Sequence, residues 1–458
     1  MPMHIRSTSL AICTAWIAAT PALAAIGPAE AARLGADLTP LGAEEAGNPA
    51  GTIPAWDGGL TSPAKAGFPD FKRGGHHPDP FASDKPLYTV SGTNAAQHSA
   101  QLTEGHKALL AKYPSYKMIV YPMRRSAAVP QRIYDATKRI ATTASLAPGG
   151  NGVVNAGEGI PFPIPREGVE VFWNHVLRYR GESIERTYGQ FPVTASGTYQ
   201  MVRLKEEAHV PYSLPGARAE LLDNVIAYFI QETLSPARLA GEILLVHETL
   251  DQSRENRRAW IYNPGQRRVR RAPNVAFDNP GINADNLNTS DQLDIYNGSP
   301  QRYDWKLVGK KELLVPYNGY KLRSEKLKYA DILKKNHIDQ NLARYELHRV
   351  WVVDSTLNAG ASHLYKRRTL YVDEDSWQIL VVDCYDSRGQ LYRVQEGHVI
   401  NYYDQPTLWT ALEVTMDLSS GRYIAVGLDN EEPRSRDFTI TRTAKDYAPS
   451  TLQRRGVR

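Results

Sequence analysis

From about Ser183 onward the apolar residues recur at every second position instead of every third or fourth. That period belongs to strands, whose side chains alternate between two faces, and it removes most helical architectures from consideration. Segments rich in β-branched, aromatic and aliphatic residues run over Val225–Leu234, Gly241–Leu250, Arg257–Tyr262, Tyr345–Asp354, Lys366–Asp373, Trp377–Asp383 and Leu391–Ile400, then Tyr423–Gly427 and Asp437–Arg442. Asp373-Glu374-Asp375-Ser376 and Asp386-Ser387-Arg388-Gly389 read as tight turns joining neighbours. Helical patterns do not alternate with these strands, so a parallel doubly wound sheet is excluded. The pattern predicts a mainly β, α+β fold built on one large antiparallel sheet. A polar insertion, Asn279–Pro300, interrupts it.

Before the strands the chain reads differently. Helices are predicted at Pro28–Leu38, Asn94–Lys112, Pro130–Ala141 and Glu167–Tyr179, the last two with apolar residues at helical spacing. Residues 25–90, which include the first of these helices, are rich in Pro and Gly and predict an extended arm over the main domain of 91–458.

The N-terminus carries the marks of an export signal: His4 and Arg6, an apolar run Leu10–Ala19, and small residues at Ala22-Leu23-Ala24. The run is about half the roughly 20 residues that a membrane span needs. The expected leader is 1–24, with cleavage after Ala24 and delivery to the periplasm. Leu10-Ala11-Ile12-Cys13 resembles a lipidation box, but Ile12 is too bulky beside the cysteine. Removing the leader leaves Cys384 alone, so no disulfide joins two cysteines of the mature chain. The charge of 54 Lys plus Arg against 49 Asp plus Glu is nearly balanced, giving no electrostatic footprint for nucleic acid.

Two resemblances add to this reading. The run Trp260-Ile261-Tyr262-Asn263-Pro264, followed by Arg267-Arg268-Val269, resembles a hairpin of the outer-membrane lipoprotein-sorting superfamily, the LolA/LolB-like carriers. Over nearly the whole mature chain the sequence resembles the bacterial domain-of-unknown-function family numbered 1329. That likeness rests on Leu38-Thr39-Pro40-Leu41-Gly42-Ala43-Glu44, Gly51-Thr52-Ile53-Pro54-Ala55-Trp56, Trp305–Glu312, Pro316-Tyr317-Asn318, His348–Val353 and Tyr371–Trp377. It implies a curved, unclosed antiparallel barrel with helices on the concave side, no cofactor, no known catalytic residue, and service to an envelope transporter or outer-membrane protein.

Such a fold suits a lipid carrier. Exposing a chain of roughly 14 methylenes to water costs about 11 kcal/mol, so transfer between membranes needs a shielded apolar hollow. Alternation nominates its lining: Val225 and Phe229 with Ala227 on one face, Trp260 and Tyr262 on another strand, Leu370 with Val372, and Ile379 with Val381 and Trp377. Each is equally what a half-buried sheet needs for its own core. Arg257, Arg258, Arg267, Arg268, Arg270 and Arg271, with Arg254, form the densest basic group. They are expected to meet anionic headgroups or an acidic partner, or to form a charged solvent face that blocks edge-to-edge pairing.

Catalytic patterns are sparse. There is no Gly-x-Ser-x-Gly elbow and no His-Glu-x-x-His. Cys384 is expected to be an inert thiol facing away from Ile379 and Val381. His76-His77 reads as a loop, and Gly149–Gly159 lacks a phosphate-gripping Lys-Ser/Thr. The one constellation with chemical potential is His363 near the Asp373-Glu374-Asp375 turn. The expected function is a non-enzymatic periplasmic carrier of a lipid or other hydrophobic molecule. The alternatives are a protein-binding scaffold and a hydrolase of hydrophobic substrates.

Overall fold

The computed structural model describes residues 25–272 and 277–456; the expected leader at 1–24 lies outside the described residues. The chain opens with α1 (Pro28–Ala31), β1 (Tyr88–Ser91), α2 (Glu104–Lys112) and β2 (Lys117–Val120). Next come α3 (Gln131–Ile140), the small ribbon β3 (Ser145–Leu146) and β4 (Val153–Val154), and α4 (Gly168–Leu177). A run of strands follows: β5 (Ser183–Val193), β6 (Val202–His209), β7 (Val225–Ser235), β8 (Ile243–Thr249), β9 (Arg258–Asn263) and β10 (Arg268–Arg271). After the insertion come β11 (Tyr303–Pro316), α5 (Tyr329–Ile332), β12 (Tyr345–Leu357), β13 (Arg367–Asp373) and β14 (Ile379–Tyr385). The last elements are β15 (Leu391–Asn401), β16 (Leu408–Asp417), β17 (Tyr423–Leu428) and α6 (Thr451–Arg455).

Fifteen of these strands share one unclosed sheet, ordered β1-β2-β12-β13-β14-β15-β16-β17-β5-β6-β7-β8-β9-β10, with β11 also on β12. Neighbours pair antiparallel except for a single parallel contact between Tyr345 and Val120. The β17–β5 pairing brings the end of the chain beside its middle and joins two meanders into one surface. Its first half is covered on both sides. On one face α4 packs on β11 and β12, and its core joins Leu370, Val372, Ile379 and Val382. On the other face α2 packs on β14 and β15, with Leu109 and Leu110 against Val381 and Val394.

Several boundaries differ from the sequence expectation. The helix predicted over 94–112 breaks in two: a 3-10 turn at Ala95–Gln101, then α2, capped by the Thr103 hydroxyl accepting from the His106 N–H at 3.0 Å. That cap satisfies an orphan donor and fixes where the helix begins. All ten residues of α4 are buried, so its apolar stripe understates how deeply it lies. α1 stops at Ala31 instead of reaching Leu38. No strand forms at 437–442; only Asp437 bridges to Glu185. β11 and β16 were not anticipated.

The segment before β1 is mostly irregular and firmly seated, burying Leu34, Leu38, Leu41, Ala43 and Ile53.

Candidate ligand-binding site

Seven consecutive strands, from β16 through β9, turn one face toward the insertion that follows β10. Laid flat, seven strands would span about 29 Å. Here Glu413 of β16, Val426 of β17, Arg186 of β5, Phe229 of β7, Val246 of β8 and Ile261 of β9 all line one cavity of about 320 Å³, so the sheet curls around it. Phe229, Leu244, Val246, Ile261 and Ala272 form an apolar floor, and Gln190, Gln231, Glu248, Arg257 and Glu413 add polar walls. The roof is the insertion itself, through Pro280, Ile282, Asn288, Thr289, Leu293 and Asn297. Its composition explains its path: Asn283, Asp285, Asn286 and Asp294 all take positive φ, which Asn and Asp tolerate better than most residues.

Side-chain bonds hold the roof down along its length, among them Arg368 to Asp291 and Arg393 to the Asn286 carbonyl, both at 2.7 Å. Gln190 donates to the Ile282 and Asn283 carbonyls at 3.0 and 2.9 Å. Arg257 donates to the Asn297 carbonyl at 2.5 Å and to Glu248 at 2.8 Å. Asp294 accepts from Arg178 at 2.5 Å, Arg180 at 2.8 Å and the Trp409 indole at 3.0 Å. Burial opposes charge on Asp294, but Arg178 and Arg180 outweigh it and hold the carboxyl below its usual range.

Glu413 has no such guanidinium in contact. It accepts from Thr410 at 2.8 Å and the Ile295 N–H at 3.3 Å. Burial, and then repulsion from Asp294, raise it to about 7. Beside it Arg186 pairs with Glu206 at 2.8 Å and lies over the Tyr188 ring at 4.2 Å. An apolar floor under a rim of amides and a carboxyl that is neutral over part of the physiological range suits an amphipathic guest.

Of the residues nominated by alternation, Phe229 lines the cavity, and so does Arg257 of the basic group. Val225 does not: β7 carries a bulge at Ile226, which turns Val225 to the face opposite Ala227 and Phe229. Trp260 and Tyr262 share a face as expected, but it is the far one, against Tyr447 and Leu452; their neighbour Ile261 meets the cavity instead. Leu370, Val372 and Ile379 are sealed beneath α4 with Phe172 and Trp173. Val381 falls on the opposite face from Ile379 because Leu380 bulges from the β13 pairing. For the same reason Cys384 stands with Ile379 and not away from it. Burial pushes its thiol up to about 12, which leaves it a poor nucleophile.

Arg258 pairs with Glu255 at 3.6 Å, while Arg267, Arg268, Arg270 and Arg271 are exposed around the β9–β10 turn.

His363 does not meet the acidic turn. It pairs with Asp291 of the insertion at 3.0 Å, together with Arg368 at 2.7 Å. The turn is met by His348, which lies 3.2 Å from Glu346 and 3.6 Å from Asp373. Burial opposes its charge, yet Asp373 and Glu346 overcome that and raise His348 to about 9. Donor atoms of His348, Asp373 and Asp375 lie within 4.8 Å of one another, close enough to share a cation. Arg125 already grips both oxygens of Asp375, at 2.6 and 3.0 Å, and a protonated His348 presents no lone pair to a metal. The group works as a charge-matched ion network. His77 is likewise buried, 2.7 Å from Asp404.

Residues 89–453 match the family described as a protein of unknown function, DUF1329. The chain belongs to that family. An uncharacterised protein of Pseudomonas aeruginosa is 50% identical over 441 residues, which is 96% of either chain. Among solved structures, a putative outer membrane lipoprotein-sorting domain from Vibrio parahaemolyticus is similar at TM-score 0.43 and 12% identity, covering 62% of this chain and 98% of its own. A DUF1329 protein from Desulfovibrio piger is similar at 0.39 and 13%, over 59% and 92%. A LolA superfamily protein from Nitrosomonas europaea is similar at 0.37 and 12%, over 62% and 98%.

In this DUF1329 chain the runs that carry the family resemblance converge on one place. Arg125 donates to the carbonyls of Glu44, Glu45 and Pro54 as well as to Asp375. The Trp377 indole donates to the Leu41 carbonyl at 2.9 Å, and Arg349 reaches the Ala46 carbonyl at 3.0 Å. Tyr317 donates to Asp373 at 3.0 Å. Five separated motifs thus meet where the arm is locked onto the sheet, away from the cavity.

Proposed function

We propose that this DUF1329 protein is a carrier that shelters a hydrophobic or amphipathic molecule in the roofed hollow between the insertion and β5–β9. The observation that carries this reading is the cavity of about 320 Å³ over an apolar floor of Phe229, Leu244, Val246 and Ile261. At ~30 Å³ per water, the space equals roughly ten waters, the size of one short chain or ring system and not of a multi-chain lipid. A guest burying about ten methylenes gains about 8 kcal/mol, enough for stable carriage. Larger cargo requires the roof to lift from Gln190, Arg257 and the Arg178–Asp294 pair.

Export is part of the proposal: the leader-like residues 1–24 fit a protein working between the two membranes, in the service of an envelope transporter or outer-membrane component. Carriage is favoured over catalysis because the lining offers an apolar floor, Arg257 and Arg186 are taken up by Glu248 and Glu206, and Glu413 is held by the Thr410 hydroxyl and the Ile295 N–H. The test is displacement of a fluorescent fatty-acid probe. Saturable binding to the native chain, abolished by Val246→Trp in the floor, is expected. Equal binding by both proteins refutes the site.

A further inference from the structure

The free end of the sheet beside the cavity carries charge that the protein does not neutralise. β10 ends the strand order, and three of its four residues, Arg268, Arg270 and Arg271, are exposed. Exposed Arg267 precedes them, exposed Arg254 lies just before β9, and exposed Arg454 is in α6, which packs on β10. Among the described residues none of these six makes an ion pair, whereas the neighbouring Arg257 and Arg258 pair with Glu248 and Glu255. Register places the charges. Arg270 is opposite Ile261, and Arg268 opposite Asn263. Arg268 and Arg270 therefore stand on the face of Ile261 and Ala272, both of which line the cavity. On the other face Arg271 lies over Trp260 at 5.6 Å, with half-buried Val269 beside it.

We propose that this edge docks on an anionic phospholipid bilayer, so that the apolar floor meets the membrane through an arginine rim. The spacing argues for many headgroups instead of one. The exposed arginines spread over the β9–β10 turn, both faces of β10, the segment before β9 and α6, a distribution wider than one phosphate can engage and suited to separate anions on a surface. The guanidiniums lack a cradle of fixed donors such as a single anion site builds. They are long, solvated and free to adjust, as binding to a fluid charged surface requires. The same arginines discourage another strand from pairing with β10.

The docking does not depend on the cavity being filled, and the experiment separates the two. Full-length purified protein is sedimented with vesicles of phosphatidylglycerol and phosphatidylcholine, and with vesicles of phosphatidylcholine alone, at low and high salt. Binding to the anionic vesicles only, weakened by salt, is expected. Arg268→Ala with Arg270→Ala should lower partitioning by about thirtyfold, as two surface arginines are each worth about fivefold. Both side chains are exposed, so an unchanged melting temperature checks that the double variant folds. Val246→Trp, which fills the floor, should bind vesicles as the native chain does, so loss of cargo and loss of docking report independently. Equal binding to neutral vesicles, full binding by the double variant, or retention on an acidic polypeptide without vesicle binding would each overturn the proposal.

Discussion

His348 and Glu413 are both fully inside the protein and both keep a proton that the unfolded chain releases sooner, His348 because carboxylates hold it charged and Glu413 because burial holds it neutral. His348 is raised to about 9 by Asp373 and Glu346 despite burial, so its contribution to stability is complete below its ordinary value near 6.5. It is lost as pH rises through 9. Glu413 is raised to about 7 by burial and Asp294, so the native state holds its proton where the unfolded chain has released it. Stability then falls as pH rises from about 4.5 to 7. Glu413→Gln should remove that second slope and be more stable than the native chain at pH 8 by about 1–3 kcal/mol, the two converging near pH 5. Chemical denaturation at the two pH values reads this; a constant offset would remove the titration from Glu413. His348→Ala should cost about 3–5 kcal/mol at pH 7, because Asp373 and Glu346 then lose their buried cation. If its loss equalled that of an ordinary large-to-small change and kept the native slope from pH 7 to 9, the ion network would not be what holds the turn.

At the scale of elements, the roof is fastened along its length by side chains of the rest of the fold, and Asp294 gathers three of those bonds. Asp294→Asn keeps the acceptor for Trp409 but removes the charge that Arg178 and Arg180 share. Faster hydrogen exchange confined to residues 277–300 is the expected result; uniform destabilisation of β5–β9 would mean the roof is not a separable unit. Much of this architecture was legible beforehand. Period-two alternation located β7, β8, β9, β12, β13 and β15 within a few residues, and Asn263-Pro264-Gly265 marked the hairpin between β9 and β10. Two single-residue bulges hid the rest. Ile226 and Leu380 each add a residue against the partner strand, and each reverses which alternate side chains share a face. Alternation could find Trp260 with Tyr262 but not which face holds the cavity, since Leu452 of α6 covers theirs from far along the chain. The roof was visible only as composition: its Asn and Asp signalled turns, not what those turns would cover. His348, unlike His363, lacked any local spacing to link it to the turn at 373–376.

For the whole molecule, the sheet is built in two regimes. Around β12–β15 it is sandwiched between α4 and α2 and tied to the N-terminal arm through Arg125 and Trp377. From β16 to β9 it curls, takes the insertion as cover on one face and meets the C-terminal α6 near β9 on the other. Under the proposed function, the half packed between helices supports the half that shelters the guest, with the arginine edge beside the cavity lining. The most direct test is native mass spectrometry of the mature protein recovered gently from its own cells, beside Val246→Trp prepared identically. A lipid-like adduct of a few hundred daltons on the native chain, absent from the variant, is the expected result. A native chain with no adduct, or one carried equally by the filled variant, would contradict a cargo site beneath the roof.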